Sequence, residues 1–292
     1  MVLTRRATKE LRSFTRRLPV EMLLAMCGYA CDSTLASLCR TGKTMRALAT
    51  PVLYRSVSLT ERTQAERLIE TITSRPSLAT HVRRLSLEGK VELSGRTILA
   101  LNRILPLMTR LRDLDLRCVG FWLEGGVGSA CFGDLRSFRG LAFPPSCESL
   151  QAFLNRHGSI TTLDVLGFQE NEDELSAVRL PELARYAGST SFLSYLDDAT
   201  VRGIRSLDLC ALDANLGAVL SRCANVRRVA GLLVGVGAIE VMETVEEHVP
   251  KVEHIVFRAR NPTELVRLNE ARRTWGAAWK TLARVVLDEA ED

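Results

Sequence analysis

The chain has 292 residues, of which 46% are hydrophobic and 25% charged, and its formal net charge is +5. That composition is typical of a soluble globular protein with one large or two ordinary domains. No apolar run reaches the roughly 20 residues that a membrane-spanning helix needs, so no membrane partner is expected. Nucleic acid is not an expected partner either, because aromatic residues make up only 5% of the chain and do not alternate with basic ones.

The chain begins with a basic segment, residues 1–17. Between positions 5 and 17 it carries six arginines and lysines against the single acid Glu10. Nuclear signals, nucleic-acid-binding arms and mitochondrial presequences share this composition, whereas a secretory signal would need an apolar run that Pro19 and Glu21 interrupt. The simplest interpretation is a solvated, disordered tail. At the other end of the chain, residues 289–292 are predicted to form a short acidic tail.

Three short helices are predicted over residues 18–57. Pro19 suits the first turn of a helix and Glu21 lies near the positive end of its dipole. Asp32-Ser33 can cap the second helix, and Pro51 ends the third. Three such helices bury little surface by themselves, so leftover apolar residues would face a partner. The apolar residues at helical spacing are Met22, Leu23, Met26 and Cys27, then Leu35, Leu38 and Cys39, then Met45, Leu48 and Ala49.

This segment resembles an F-box, the helical module that docks a substrate receptor onto the Skp adaptor of cullin-based ubiquitin ligases. The resemblance rests on the opening Leu18-Pro19-Val20-Glu21-Met22-Leu23-Leu24 and the closing Pro51-Val52-Leu53-Tyr54-Arg55-Ser56-Val57. It implies a shared apolar surface, formed by residues at both ends of the module, that binds the adaptor. The adaptor-binding residues so implied are Leu18, Pro19, Glu21, Met22, Leu23, Leu53 and Tyr54. Without the resemblance, the same helices could be a plain subdomain of the fold that follows.

From Val82 onward an apolar-x-x-apolar-x-apolar pattern recurs. Its clearest copies are Val82–Leu87, Leu111–Leu116 and Ile204–Leu209. The copies begin at positions 82, 111, 135, 160, 183, 204, 226, 252 and 282, an interval close to the 20–29 residues of a leucine-rich repeat. Residues 58–288 therefore resemble a leucine-rich-repeat solenoid, although the asparagine or cysteine that usually completes the repeat is absent.

The segments between the copies have helical patterns and helix-start residues, such as Ser94 and Asn261-Pro262. The predicted fold class is thus α/β: an N-terminal three-helix F-box, residues 18–57, followed by an irregular solenoid with a parallel sheet on its concave face. A doubly wound α/β domain is the alternative, and it would need a strand order that reverses. The residues expected to point inward are Leu85, Leu87, Leu114, Leu116, Leu163, Leu207, Leu209, Ile255 and Phe257.

Side chains alternate along a strand, so the residues between the inward positions share the opposite, concave face. Solenoids commonly bind partners on such a surface, and its mixture of charges favours a protein target over nucleic acid. The predicted target-binding residues are Arg84, Asp113, Asp115, Arg139, Asp164, Asp208, Arg228, His254 and Arg284.

Motifs that resemble chemical sites fail on inspection of their spacing. Thr41-Gly42-Lys43-Thr44 lacks the glycine of a phosphate loop, since Ser37 stands in its place. Gly235-Val236-Gly237 lacks the third glycine of a dinucleotide site. The eight cysteines include no C-x-x-C pair, and no histidine has metal-finger spacing. His157 is interpreted as a favourable cation at a helix C-terminus. No catalytic residue, cofactor or metal is therefore predicted, and the chain is not expected to be an enzyme.

The sequence thus favours a substrate-recognition subunit of a cullin-type ligase, cytoplasmic or nuclear and monomeric within the complex. Its expected partners are the Skp adaptor, the cullin ligase and an unknown protein target. Two alternatives stay open: an interaction scaffold whose F-box has decayed, and an α/β enzyme with an N-terminal presequence.

Overall fold

A computed structural model describes residues 18–87, 93–116, 130–141, 147–166, 177–233 and 237–287. Three helices come first: α1 (Val20–Gly28), α2 (Asp32–Thr41) and α3 (Lys43–Leu53). The α-helices that follow are α4 (Arg62–Ser74), α5 (Gly95–Ile104), α6 (Cys147–Arg156), α7 (Thr190–Ser194), α8 (Asp198–Gly203), α9 (Leu216–Arg222), α10 (Ala238–His248), α11 (Pro262–Arg272) and α12 (Ala277–Leu282). Two 3-10 helices span Pro76–His81 and Leu105–Leu107.

The strands form one open sheet of ten, and each strand lies beside its predecessor in the chain. All neighbouring strands are parallel. This order never reverses, so the doubly wound alternative is wrong and the arrangement is solenoid-like. The strands are β1 (Ser56–Leu59), β2 (Arg84–Leu87), β3 (Asp113–Asp115), β4 (Ser137–Leu141), β5 (Thr162–Leu166), β6 (Arg185–Gly188), β7 (Ser206–Leu212), β8 (Arg228–Leu233), β9 (His254–Ala259) and β10 (Ala283–Leu287).

The core lies on one side of this sheet, where apolar residues of successive strands align in rows. One row passes through Leu85, Leu114 and Phe138, which are direct partners in the parallel ladder. Each of the nine residues predicted to point inward is 2% exposed or less, which confirms that prediction. Apolar residues of the connecting helices complete the same core, among them Leu101, Phe153 and Val245. The alternation of side chains along each strand thus separates the buried side of the sheet from its opposite side.

The sheet has one strand more than the sequence pattern predicted. Strand β1 pairs with β2, with Val57 opposite Leu85, and Tyr54 packs against the core of the sheet. The run from Tyr54 to Leu59 is itself an apolar-x-x-apolar-x-apolar copy, 28 residues before the copy at Val82. The prediction that Val57 closes the helical module is therefore wrong, because the first repeat already begins at Tyr54.

The register of the last strand, β10, differs by two residues from the register that the pattern predicted. The pattern that starts at Leu282 places Val285 opposite Ile255, whereas Ala283 is the partner of Ile255 and Val285 the partner of Phe257. Helix α12 runs directly into β10, so no turn separates them as in the other repeats. A shift of two residues preserves the side of the sheet, since the side-chain period is two.

Aromatic rings compensate for glycine where the repeat pattern is weak. In β4 a Cβ on Gly140 would lie 2.8 Å from the ring of Phe138, and in β6 a Cβ on Gly188 would lie 2.8 Å from the hydroxyl of Tyr186. Both rings are buried. Each therefore fills the space that an apolar side chain occupies two residues later in the better copies, which explains why the sheet continues through these repeats.

Helix starts were predicted with mixed success. The Ser94 hydroxyl accepts a hydrogen bond from the Thr97 N–H at 3.2 Å, and Asn261 Oδ1 accepts one from the Glu264 N–H at 2.8 Å. Both caps were expected. In α2, by contrast, Cys31 occupies the cap position and Asp32 is already helical. Pro51 does not end α3 but lies in its last turn.

His157 was interpreted from the sequence as a favourable cation at a helix C-terminus, but its surroundings keep it neutral. Its ring is 2% exposed and stacks beside Phe132 and Phe153. Nε2 accepts a hydrogen bond from the Phe132 N–H at 2.9 Å, so Nδ1 carries the hydrogen and donates to the Phe153 carbonyl at 2.7 Å. Burial lowers the pKa of His157 below its ordinary value of 6.5. The imidazole therefore connects two segments as a neutral group.

This placement predicts acid sensitivity. As the pH falls through 6.5, the unfolded chain takes up a proton more readily than the folded one, so the free energy of unfolding should decrease. One proton limits the slope to about 1.4 kcal/mol per pH unit. We expect His157→Gln to flatten this dependence between about pH 7 and 5.5, measured by chemical denaturation. The control His254→Gln, at an exposed position, should keep the wild-type slope; equal slopes in all three proteins would contradict the assignment.

Candidate partner-binding surfaces

The three N-terminal helices have a small core of their own. It consists of Leu23, Cys27, Leu35, Met45 and Ala49, none of which is more than 6% exposed. These residues belong to a cluster separate from the core of the sheet. Helices α2 and α3 pack closely, and α1 packs on α3. The helical module is thus organised around its own centre, and α1 contributes only Leu23 and Cys27 to it.

Helix α1 exposes a patch of large apolar side chains, which we call the first-helix patch. It consists of Val20 (49% exposed), Met22 (52%), Leu24 (42%), Met26 (52%) and, just after the helix, Tyr29 (94%). Val20 and Leu24 lie one turn apart on one flank of the helix, and Met22 and Met26 lie one turn apart on the other. Within the described part of the chain nothing covers these side chains, and exposed apolar surface of this extent often marks an interaction site.

The predicted adaptor-binding residues differ in their burial. Pro19, Glu21 and Met22 are exposed. Leu23 is buried in the core of the helical module, and Leu18 and Leu53 pack against that core. Tyr54 packs on the core of the sheet instead. Leu23 is therefore not part of an exposed surface, and adaptor binding by the other six residues stays a prediction.

Sequence reasoning also missed most of the first-helix patch. Val20, Leu24, Met26 and Tyr29 were not among the predicted adaptor-binding residues. A helical wheel with Leu23 and Cys27 on the buried side would have indicated their exposure. The spacing of apolar residues alone did not indicate which side of α1 is buried, because apolar residues also flank that side.

The nine predicted target-binding residues lie on the side of the sheet opposite the buried rows, which we call the open face. Adjacent strands bring Arg84 beside Asp113, and Asp115 beside Arg139. Asp164 and Asp208 lie farther along the same side, each one position after a buried residue. Arg284 keeps to this side despite the shifted pairing of β10. Whether these residues bind a target stays a prediction.

The charges of the open face largely pair with one another. Arg84 Nε lies 3.4 Å from Asp113 Oδ2, and Arg139 Nη1 lies 3.5 Å from Asp115 Oδ2. Asp208 pairs with Arg258 of β9, a residue that the sequence reasoning did not select. Exposed pairs of this kind contribute only about 0–1 kcal/mol each, yet they leave few free charges at the centre of the face.

The described thiols differ in their acidity. On the open face, burial and the carboxylates of Asp164 and Asp208 raise the pKa of the Cys210 thiol, so it stays protonated at neutral pH. Burial raises the pKa of Cys223 to about 11. Hydrogen bonds from the hydroxyls of Ser33 and Thr34 lower the pKa of the exposed Cys31 to about 7. Within the described ranges, no three His, Cys, Asp or Glu residues are grouped closely enough to hold a metal ion.

Comparison with known proteins adds little. No protein-family model matches the chain, and no curated protein does. Among solved structures, the crystal structure of the Rad7 and Elc1 complex in yeast matches with 13% identity and a TM-score of 0.31, over 90% of this chain and 95% of that one. A likeness at that TM-score carries no argument about fold or function.

No helix in the described ranges combines the length and apolarity needed to cross a bilayer.

Proposed function

We propose that this chain is a substrate receptor of a cullin-type ubiquitin ligase. Its N-terminal helices bind the Skp adaptor, and its solenoid, of leucine-rich-repeat type, holds a protein target. The chain itself performs no bond chemistry. It contributes proximity, since it holds a target lysine near the conjugating enzyme that the ligase brings.

The observation that carries this proposal is the first-helix patch. A three-helix module with its own small core has no structural need to expose four large apolar side chains on one helix and a fifth just after it. Burial of that patch against another protein would recover the hydrophobic free energy that its exposure forfeits. The patch belongs to the segment that resembles an F-box, and Pro19 stands immediately before its helix. The patch thus supports the proposal that an adaptor docks on this helix.

The test is copurification with the Skp adaptor, followed by titration of the purified proteins. We expect wild type to bind and the double variant Met22→Asp/Met26→Asp to bind about 30-fold more weakly. Anchors of this kind commonly cost about 2 kcal/mol or more when removed. Both methionines are 52% exposed, so the changes should leave the small core intact.

The matched control is Ile239→Asp/Val266→Asp. These residues are 52% and 55% exposed on the solenoid helices α10 and α11. The control should bind the adaptor as wild type does. If wild type fails to copurify, the receptor proposal is wrong and the scaffold with a decayed F-box replaces it. If both double variants bind equally well, the first-helix patch is not the docking surface.

A further inference from the structure

Six arginines occupy equivalent positions along one edge of the sheet, just before the strands begin. They occupy the second position of the repeat pattern and form what we call the arginine rim: Arg55, Arg83, Arg112, Arg136, Arg205 and Arg227. All are exposed except Arg83, which is half-buried. The third position adds further exposed arginines, among them Arg185 and Arg228. None of the six belongs to the target-binding set predicted from the sequence.

Main-chain hydrogen bonds fix the alignment of the rim. The carbonyl of Arg55 accepts from the N–H groups of Arg83 and Arg84, and that of Arg83 accepts from Arg112 and Asp113. The same arrangement, in which one carbonyl accepts two hydrogen bonds, repeats along the sheet to β9. There the Arg227 carbonyl accepts from the N–H groups of Glu253 and His254. Consecutive rim positions are therefore one strand apart, about 4.8 Å. Thr161 and Ala184 interrupt the series between Arg136 and Arg205.

Positive charge is in excess along this edge. Arg112 lies 3.6 Å from Asp134, Arg227 lies 3.0 Å from Glu253, and Arg136 pairs with Glu182. In the part of the chain that the structure describes, no ion pair engages Arg55, Arg83 or Arg205. The open face differs, since its charges pair across the strands. The rim, rather than the centre of the open face, is thus the surface with unbalanced charge.

The chemistry of the rim suits carboxylates better than a nucleic acid. Three of its arginines already bind carboxylates of this chain, so their side chains adopt positions in which a carboxylate fits. Single-stranded nucleic acid is usually held by aromatic stacking as well as charge, and no aromatic residue occupies the second or third repeat position in the described strands.

We propose that the arginine rim binds an extended acidic segment of a partner protein. The distance from β1 to β8 is about 34 Å at the usual strand spacing, which about ten extended residues would span. The proposal rests on the proposed function in one respect, because it names the chemistry of the target that the receptor holds. Binding to the rim can nevertheless be measured without the adaptor, so each proposal can fail without the other.

The test uses the full chain and a fluorescein-labelled polyglutamate peptide of about 15 residues, long enough to cross the rim. Binding is followed by fluorescence anisotropy at several salt concentrations. We expect Arg55→Glu/Arg83→Glu/Arg205→Glu to weaken binding by about tenfold or more, because three weak charge contacts become repulsive together. The matched control, Arg67→Glu/Arg103→Glu/Arg267→Glu, changes the net charge equally on exposed helical positions. It should weaken binding less than about twofold, the residual effect of net charge.

Three results would overturn the proposal. One is absence of polyglutamate binding by the wild-type chain. Another is equal weakening in both triple variants, which would show that binding follows net charge alone. The third is tighter binding of a labelled oligothymidine than of polyglutamate at the same salt concentration, which would assign the rim to nucleic acid. Circular dichroism of both variants confirms that the comparison is between folded proteins.

Discussion

Replacing Leu114 by alanine is expected to lower the free energy of unfolding by about 2–5 kcal/mol, the usual cost of emptying a packed core site. Leu114 lies at the centre of β3 and is 1% exposed. Its neighbours in the ladder are Leu85 and Phe138, both also buried. A solenoid repeat contacts only the repeats beside it, so a cavity here weakens the contact between successive repeats on both sides. Urea denaturation followed by circular dichroism measures the change.

The matched control is Leu99→Ala on helix α5. The chemical change is identical, but Leu99 is 64% exposed, so its loss should alter stability by no more than about 0.5 kcal/mol. A cost at Leu114 as small as that at Leu99 would contradict the inward placement of this row. The same experiment gives the slope of the unfolding free energy against urea concentration. A lower slope in Leu114→Ala would show that part of the solenoid unfolds separately.

Replacing Gly188 by alanine is expected to destabilise the fold by about 3 kcal/mol, for two reasons that act together. The backbone of Gly188 has φ of +145°, a conformation that residues with a Cβ rarely adopt. A Cβ would also overlap the carbonyl oxygen of Val165 in the adjacent strand. In addition it would approach the hydroxyl of Tyr186, which donates a hydrogen bond to the Ser189 carbonyl at 2.7 Å.

The control for this change is Gly95→Ala at the start of helix α5. Apart from its chain neighbours and the backbone of its own helix, no atom of the described residues lies within 4 Å of the added Cβ. Alanine there should be neutral or slightly stabilising, because it reduces the freedom of the unfolded chain. Thermal unfolding of both variants distinguishes the cases. A stable Gly188→Ala protein would show that β6 can adjust its backbone, and that the close approach of β5 and β6 is not required.

Much of the solenoid could be predicted because its signals are local. The spacing of apolar residues located nine strands, and the alternation along each strand assigned Leu85 and Leu114 to the core. The same spacing missed β1, because the residues from Tyr54 to Val57 fit both the end of the helical module and the start of a repeat. When a short run of residues fits both the end of the helical module and the start of a repeat, its pattern does not show which of the two cores contains its side chains.

The candidate surfaces were harder to predict. Helix α1 has apolar residues on both flanks of its buried side, so its periodicity did not single out that side, and Leu23 was placed outside when it lies inside. The open-face residues followed directly from alternation, but their pairing across strands, as between Arg139 and Asp115, needs the alignment of adjacent strands. The arginines of the rim are visible in the sequence as separate residues. Only the main-chain hydrogen bonds between strands show that these positions align along the sheet.

The sequence by itself determined the repeat interval, the side of the sheet on which each strand residue lies, and the helix starts at Ser94 and Asn261. Each depends on residues a few positions apart, whose relation the backbone geometry fixes. The tertiary structure alone decided that Leu53 and Tyr54 belong to different cores. It also decided that His157 accepts a hydrogen bond from a residue 25 positions away, since such contacts depend on which distant segments the packing brings together.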